Sequence, residues 1–312
     1  MLRRVLLALP TASGLLVASD SRSQQETGGG ALPRLATSVV SPQLPTTVFV
    51  HGLDSSKQTW TSVQAELLGR GYPSLAVDLR GHGESELGDP TEFTAEALAK
   101  DVLSVAKDLP KPFVLVGHSM GGRIAMRAAA IADKGTLGAV VIEDIDTRVS
   151  SGGSGDPDEA FERSFDSQKD AVEALVAAGY DLTRVESWLG TRVRRLPSGR
   201  WHSDVSPQAQ RLGWYRVLNV DDADRAWDTI SSHKGGDDFE VHLWVAGREG
   251  TVCEWDGPRG ITDLVDRLGA DRCNLKTFHR AAHSIHNTDR TAFLDALVDV
   301  IDRVARTKPR DL

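Results

Sequence analysis

One segment near the middle of the chain carries a serine in a pattern that is typical of a catalytic nucleophile. Residues 113–122 read FVLVGHSMGG, so an apolar run ends in Gly117-x-Ser119-x-Gly121. A serine in this position lies on a sharp turn between a strand and a helix, which holds its Oγ clear of the sheet. Glycines on both sides leave room for that turn. The pattern predicts attack by an activated serine on an electrophilic carbon, usually an ester carbonyl.

Two other segments carry groups that could complete such a site. Residues 51–54, His-Gly-Leu-Asp, follow the first buried strand, where a loop can aim a backbone N–H at a developing oxyanion. The N–H groups of Leu53 and Met120 are the two candidate donors. His283 lies in the loop after the last predicted strand. From there it can act on the serine as a general base and then protonate the leaving group.

The elements that must position these groups alternate along the chain between short apolar runs and longer helical patterns. Near-continuous β-branched strands separated by helices indicate a parallel sheet covered on both faces. Residues 78–85, DLRGHGES, follow the second strand and are expected to form a tight structural loop beside the site. The predicted strands are residues 46–50, 74–78, 113–116, 139–142, 240–247 and 274–278, with an edge strand at 35–40, and the predicted helices are 58–70, 91–109, 120–132 and 289–305.

The alternation breaks in the second half of the chain. A flexible stretch rich in Gly and Ser is followed by a mainly helical region without a strong strand, and the sheet pattern resumes at Glu240. A helical insertion between two strands of one sheet is expected to form a lid over the strand ends, at about residues 147–236. It contains four tryptophans, each of which could line a pocket or fill the small core of the lid itself: Trp188, Trp201, Trp214 and Trp227.

The composition limits the classes of partner and cofactor. The chain has 312 residues, of which 40% are hydrophobic and 26% charged, as in ordinary globular proteins. Its formal net charge of -8 provides no basic surface for nucleic acid. Cys253 and Cys273 give neither a disulfide framework nor a metal-ligand cluster, although a single bridge between them stays open. No metal or nucleotide motif appears, so no cofactor and no metal site are predicted.

The first residues differ from the rest of the chain. Met1-Leu2-Arg3-Arg4 is basic, and residues 5–17 are mostly apolar, as in a secretory signal peptide or, less clearly, an organelle transit peptide. That apolar run is too short for a membrane-spanning helix. We therefore predict a targeting peptide and disordered linker at residues 1–31 and one folded domain at 32–312. The expected location is secreted or organellar after removal of the peptide, and cytoplasmic if the segment is only a disordered tail.

Together the motifs resemble those of the α/β-hydrolase superfamily. His-Gly-Leu at 51–53, Asp-x-Arg-x-His-Gly-x-Ser at 78–85, Gly-His-Ser-Met-Gly-Gly at 117–122 and a late histidine occur in the order of that superfamily. The resemblance covers roughly residues 35–305. It implies an α/β fold, in which a mostly parallel sheet carries helices on both faces and a helical lid insertion. It also implies Ser119 as nucleophile and His283 as base.

The resemblance also bears on the remaining histidines and on the acid. It implies structural roles for His286 and for His118, which is expected to pack beneath the serine. Most members of the superfamily place an aspartate where this chain has Gly250. A branch of esterases with the same motifs instead has an Asp-Ile sequence after the strand that follows the nucleophile helix, and Asp144 matches it. Three other acids stay open as alternatives, and the first is expected to point to the opposite face of its strand: Glu143, Asp146 and Glu249.

These features predict a serine esterase with a catalytic triad and an oxyanion hole, which cleaves carboxylic esters or thioesters through an acyl-enzyme on Ser119. The expected partner is a small-molecule acyl substrate, with no nucleic acid and no integral membrane span, and the oligomeric state stays open. The alternatives are a carbon–carbon bond hydrolase or a perhydrolase with the same triad, or a non-catalytic ligand receptor on the same fold.

Overall fold

The regular elements follow the alternation that the sequence predicts. The computed structural model describes residues 5–8, 44–232, 239–247 and 250–307. Within these residues the strands are β1 (Val5–Ala8), β2 (Thr47–Val50), β3 (Ser74–Val77), β4 (Phe113–His118), β5 (Leu137–Glu143), β6 (Ser164–Phe165), β7 (Val193–Arg195), β8 (Trp201–Ser203), β9 (Glu240–Ala246) and β10 (Cys273–Phe278). The α-helices are α1 (Thr61–Gly69), α2 (Ala95–Val105), α3 (Met120–Ile131), α4 (Gln168–Ala177), α5 (Leu182–Ser187), α6 (Pro207–Gly213), α7 (Asp222–Ser232), α8 (Ile261–Leu268), α9 (Ile285–Thr288) and α10 (Arg290–Thr307).

Seven of the strands form one sheet in the order β1-β3-β2-β4-β5-β9-β10. All neighbours in it are parallel except β1, which pairs antiparallel with β3 at one edge. The predicted parallel sheet is thus confirmed. Apart from Val5–Ala8, the predicted targeting peptide and linker at residues 1–31 lie outside the described residues, as does the predicted edge strand at 35–40.

Two apolar layers cover the faces of this sheet, because successive side chains along a strand point to opposite sides. Val48 and Val50 pack with helices α2, α3, α7 and α8 on one face. Phe49, between them, packs with α1 and α10 on the other face. Within the described residues, no helix combines the length and the apolar character that a membrane span requires. The three layers place the carboxyl ends of the parallel strands, and the loops that follow them, along one edge.

The insertion between β5 and β9 is mainly helical, as the sequence predicts, but it also contains short strands that the sequence pattern did not indicate. Besides helices α4 to α7, it contains a small antiparallel sheet in the order β6-β8-β7. These strands have only two or three residues each. Strands of that length are too short to produce a recognisable alternation of apolar and polar residues. The insertion also has an apolar core of its own, around Leu175, Val185 and Trp188.

The loop at residues 78–85 joins this insertion to the main sheet. Asp78 is fully buried and accepts hydrogen bonds from the backbone amides of Lys57, at 2.7 Å, and Glu84, at 3.0 Å. Arg163 of the insertion donates hydrogen bonds to the carbonyls of Gly83, at 2.8 Å, and Ser85, at 2.6 Å. The loop therefore supports both parts of the fold, which agrees with the structural role expected for it.

Candidate active site

Ser119 lies at the junction between strand β4 and helix α3, on a strained turn. Its backbone has φ 53° and ψ −124°, a left-handed conformation that non-glycine residues rarely adopt. The flanking glycines leave no space for a side chain. A Cβ on Gly117 would lie 2.2 Å from the carbonyl oxygen of Gly121, and a Cβ on Gly121 would lie 2.5 Å from the carbonyl oxygen of His51. The close contacts hold Ser119 in this conformation, and such strain is common at active sites.

The loop after β2 packs directly on this turn. A Cβ on Gly52 would lie 3.1 Å from Cβ of Ser119, so the backbone of the His51–Leu53 loop is adjacent to the serine. Leu53 and Ser119 line the same cavity. Met120 is the first residue of α3, and the first N–H groups of a helix have no acceptor within the helix. Among the described residues, neither the Leu53 nor the Met120 amide donates a hydrogen bond outside the regular elements.

His283 reaches the same cavity from the loop between β10 and α9. Its Nδ1 donates a hydrogen bond of 2.7 Å to Oδ2 of Asp144, the residue directly after β5. The Asp144 side chain is fully buried, whereas the His283 side chain is 34% exposed. The His283 imidazole is thus accessible from the cavity, while its Nδ1 is held by the carboxylate of Asp144. The structure brings Ser119, His283 and Asp144 together at the carboxyl ends of β4, β10 and β5.

The surroundings of Asp144 stabilise its ionised form. Both carboxylate oxygens accept further hydrogen bonds: Oδ1 from Thr251 Oγ1 at 2.6 Å and from the Ala246 amide at 2.8 Å, and Oδ2 from the Val252 amide at 3.2 Å. Burial by itself raises the pKa of the Asp144 carboxyl. The hydrogen bonds outweigh this effect and leave the pKa below its ordinary value. An ionised Asp144 is what holds the imidazole in the tautomer that accepts a proton at Nε2.

The structure separates the other candidate acids from His283. Glu143, on the opposite face of the strand, accepts hydrogen bonds from the His286 side chain at 2.8 Å and from the His286 amide at 2.9 Å. Asp146 pairs instead with Arg148 at 2.7 Å. Glu249 lies outside the described residues. Of the acids that the sequence leaves open and the structure describes, Asp144 is the one bonded to His283.

The other two histidines near the site, His118 and His286, are both buried. His118 Nε2 lies 3.1 Å from the carbonyl oxygen of His283, and burial lowers the pKa of His118 to about 4, so this ring is neutral near pH 7. His118, Glu143 and His286 place potential metal-ligand atoms within 4.8 Å of one another. The Glu143–His286 hydrogen bonds already account for this spacing, and all three residues are buried. The group therefore fits a structural cluster that supports the His283 loop.

A cavity of about 420 Å³ opens beside Ser119 and His283. Of the four tryptophans in the insertion, Trp214 lines it, Trp188 and Trp201 belong to the small core of the insertion, and Trp227 is buried in the main core. The apolar part of the cavity wall consists of Leu53, Ile145, Val149, Trp214, Leu218 and Val252. The polar part consists of Arg123, Asp146, Arg148, Ser150 and Ser151. The insertion and the sheet thus share the cavity.

Two residues of the site were not found by sequence reasoning. Thr251 bonds Asp144 from the loop after β9, a position that no local motif marks. Arg123, one helical turn beyond Ser119, is 1% exposed and donates hydrogen bonds to the carbonyls of Asp146 and Leu218, at 3.1 and 2.7 Å. Its place in the Ser-Met-Gly-Gly-Arg sequence could have been a signal, because residues four apart share a helix face.

Cys253 and Cys273 are both free and buried, so the single bridge that the sequence left open is not formed.

Comparison with known proteins supports the interpretation of the fold. A sequence profile described as the alpha/beta hydrolase family matches residues 47–296. Esterase Rv0045c of Mycobacterium tuberculosis is 29% identical over 269 residues, which are 83% of each chain. Protein phosphatase methylesterase 1 of Mus musculus is 41% identical over 91 residues, which are 28% of this chain. The chain spans only about a quarter of the length of the methylesterase relatives that it matches, 24% for the mouse protein.

Solved structures agree on the architecture. The thioesterase domain from the curacin biosynthetic pathway superimposes with a TM-score of 0.59 at 17% identity, over 83% of this chain and 92% of that domain. The crystal structure of the M. tuberculosis esterase Rv0045c superimposes with a TM-score of 0.55 at 22% identity, over 84% of this chain and 85% of that one. At these identities the superpositions show a shared fold.

Proposed function

Because this chain belongs to the α/β-hydrolase family, we propose that it cleaves carboxylic esters or thioesters through an acyl-enzyme on Ser119. The observation that carries the proposal is the hydrogen bond from His283 to the buried Asp144, beside the cavity that His283 and Ser119 both line. Relatives named as esterases add support, above all the M. tuberculosis protein that matches most of the chain.

In the proposed acylation step, Ser119 Oγ attacks the carbonyl carbon of the substrate. His283 Nε2 takes the hydroxyl proton as the new C–O bond forms, and Asp144 stabilises the resulting imidazolium without taking the proton itself. The carbonyl oxygen becomes an oxyanion, which the amides of Leu53 and Met120 bind. Such donors act mainly on the transition state and are worth about 10²–10³ in rate each.

The remaining steps return the enzyme to its starting state. The tetrahedral intermediate collapses, and His283 gives its proton to the departing alcohol or thiol. Water then enters, loses a proton to His283 and attacks the acyl carbon. The second intermediate releases the acid and restores the Ser119 hydroxyl. All proton transfers in this scheme use one imidazole, so the orientation that Asp144 imposes serves both halves of the reaction.

We also propose that residues 147–236, of which 233–236 lie outside the described residues, act as a lid that shapes the acyl site. Support comes from the cavity wall, to which this segment contributes Val149, Trp214 and Leu218. Apolar side chains on one side of Ser119 suit the hydrocarbon part of an acyl group. The cavity of about 420 Å³ has the size of a small-molecule site.

Labelling with a fluorophosphonate probe tests the nucleophile. The wild-type protein should be labelled with 1:1 stoichiometry, and Ser119→Ala should not be labelled. Ser151→Ala is the matched control, because Ser151 lines the same cavity but has no role in the mechanism. Equal labelling of wild type and Ser119→Ala, or loss of labelling in the Ser151 variant alone, would contradict the proposal.

A substrate panel tests the reaction class. p-Nitrophenyl esters of short and long acids and acyl-CoA thioesters should be hydrolysed by the wild type with burst kinetics, because an acyl-enzyme accumulates when deacylation is slow. Labelling without turnover of any ester or thioester would refute the proposed reaction while leaving Ser119 as an activated nucleophile. Tight retention of a ligand without turnover would instead favour the receptor alternative.

A further inference from the structure

The insertion forms hydrogen bonds with the loop that carries the proposed oxyanion donor Leu53. Arg192, next to the start of β7, donates a hydrogen bond from Nη2 to the backbone carbonyl of Asp54, and the same nitrogen lies 3.7 Å from Asp54 Oδ1. Arg184 of α5 donates to Asp54 Oδ2 at 3.3 Å. Two arginines of the insertion thus hold both the main chain and the side chain of the residue that follows Leu53.

Asp54 has a backbone conformation that requires support. Its φ is 54°, in the left-handed region, which is less stable for an L-residue than the right-handed region. Aspartate tolerates this region better than most residues. The Asp54 side chain is only 11% exposed, and among the described residues its Oδ1 has no hydrogen-bond partner apart from the longer ion pair with Arg192. Burial raises the pKa of the Asp54 carboxyl, and the charges of Arg192 and Arg184 act against this effect, so the two cations favour the ionised form of a strained residue that is nearly buried.

The arginines are themselves positioned by aromatic rings of the insertion. The guanidinium of Arg192 lies 4.9 Å from the centre of the Trp188 ring, and that of Arg184 lies 5.1 Å from it. Arg192 is 23% exposed and Arg184 is 56% exposed. Exposed ion pairs contribute little because water screens them, so Arg192 is the principal contact and Arg184 the weaker one.

A second contact joins the insertion to Leu53 and Met120, the two residues whose amides are the proposed oxyanion donors. At the end of α6, a Cβ on Gly213 would lie 2.4 Å from Leu53 Cδ1 and 2.8 Å from Met120 Sδ. The backbone of α6 therefore packs directly on the side chains of both proposed oxyanion donors. The loop thus has contacts at Leu53 and at Asp54 that both come from the insertion.

We propose that Asp54 is a positioning residue, through which Arg192 of the insertion sets the direction of the Leu53 amide. This inference rests on the proposed function, because it assumes that Leu53 binds the oxyanion. Without the contacts from Arg192 and Arg184, which we call the arginine clamp, Asp54 can relax towards the right-handed region and the backbone of the loop turns with it. The amide of Leu53 then no longer meets the oxyanion, whereas the ground-state substrate, which occupies the cavity, is held as before. The insertion is in this way part of the catalytic machinery as well as a cover.

Arg192→Met is the direct test, because methionine keeps most of the aliphatic stem and removes the charge, the donors and the guanidinium that lies over Trp188. We expect kcat for p-nitrophenyl acetate to fall about 10- to 100-fold while KM changes less than about 3-fold, since only transition-state binding is lost. The affinity for a boronic acid, whose adduct on Ser119 carries an anionic tetrahedral centre, should fall by the same factor. Arg192→Lys, which retains a cation and a donor, should recover part of both.

Arg195→Met is the matched control. Arg195 lies on β7, three residues after Arg192, and is exposed. It donates its hydrogen bond to the carbonyl of Gly199 rather than to the Asp54 loop, so its loss should leave kcat and boronate affinity unchanged. Asp54→Asn provides a second variant that keeps the left-handed preference and removes the charge. It removes the ion pairs with both arginines but keeps the backbone carbonyl that Arg192 binds, so it should lower kcat less than Arg192→Met does. In the double variant the two effects should sum to less than full additivity, because both substitutions remove the ion pair between the Arg192 and Asp54 side chains.

The outcomes separate this inference from the proposed function. If the wild type is labelled at Ser119 and Arg192→Met matches it in kcat, the clamp has no positioning role. A change in KM alone, or a fall in kcat without loss of boronate affinity, would equally overturn the inference. If Arg192→Met is poorly folded by thermal melting, Arg192→Lys and Asp54→Asn carry the test. Absence of labelling and turnover in the wild type would refute the proposed function itself.

Discussion

Replacement of Asp144 by asparagine removes one charge and keeps the shape of the side chain, yet we expect kcat to fall about 10³- to 10⁴-fold. The reason lies in the donors that surround the carboxylate. Oδ2 accepts from His283 Nδ1 and from the Val252 amide, and Oδ1 accepts from Thr251 and from the Ala246 amide. Whichever way the asparagine is turned, its NH₂ group faces at least one backbone N–H.

Each orientation of the asparagine has a defined consequence. With NH₂ at the Oδ2 position, it donates to Nδ1 of His283 and forces the tautomer that carries a proton on Nε2, which cannot act as a base. With NH₂ at the Oδ1 position, the tautomer survives, but the Ala246 amide loses its acceptor and the imidazolium loses its counter-charge. A buried donor without a partner costs roughly 1–3 kcal/mol. The variant should therefore lose most activity and a measurable part of its stability.

The assay is steady-state hydrolysis of p-nitrophenyl acetate together with chemical denaturation, for Asp144→Asn and for the neighbouring acid as control. Glu143→Gln should unfold more easily, because Glu143 is buried against His286, but a folded Glu143→Gln protein should retain kcat within about tenfold. If Asp144→Asn kept kcat within tenfold of the wild type while Glu143→Gln lost it, the assignment of Asp144 would be wrong.

The same side chain gives the site an expected pH dependence. The pKa of Asp144 is lower in the folded protein than in the unfolded chain, so ionised Asp144 contributes stability above its ordinary pKa of 3.8. This contribution is lost as the pH falls through the folded-state pKa. The stability difference between wild type and Asp144→Asn should therefore be larger at pH 7 than at pH 3, and equal differences at both would contradict the charge-stabilised site.

Two further predictions concern the turn at Ser119 and the junction of the insertion. Gly117→Ala should lower the free energy of unfolding by about 3 kcal/mol or more and abolish fluorophosphonate labelling, because its Cβ would lie 2.2 Å from a backbone oxygen of Gly121; near-normal denaturation and labelling would refute this. Burial raises the pKa of Asp204 to about 6, so its ionisation opposes folding, and the stability of the protein falls as the pH rises from about 4 to 6. In Asp204→Asn the change in melting temperature across that pH range should be smaller than in the wild type. An unchanged profile would count against a raised pKa.

Much of the main fold could be predicted from local patterns of apolar and polar residues. Continuous apolar strands such as Phe113–His118 and the helices after them follow from residue type and spacing, because burial on both faces requires apolar residues throughout. The turn at Ser119 is equally local, since only glycines at 117 and 121 allow the close approach that it needs. The family followed from the order of these motifs along the chain, and the profile match over residues 47–296 agrees with it.

The insertion was harder to predict because its elements are short and depend on distant partners. Strands of two or three residues carry no period, so the small sheet β6-β8-β7 was absent from the sequence prediction. Its tryptophans looked equivalent in the sequence, but in the structure Trp214 lines the cavity and Trp227 donates a hydrogen bond to Leu264 in the main core. Burial of an aromatic residue follows from its partners and not from its neighbours in the chain.

The sequence by itself determined which groups were available: the serine on its turn, a late histidine, and three acids within four residues at the end of β5. The choice among those acids depended on the sheet, in which β5 lies beside β9. That neighbour brings Thr251 and the Ala246 amide to Asp144, and it lets His283, 139 residues away in the chain, reach the same carboxylate. Only the tertiary structure also placed Arg192 on Asp54. Local sterics set the conformation of each segment, but strand order and packing decide which segments meet.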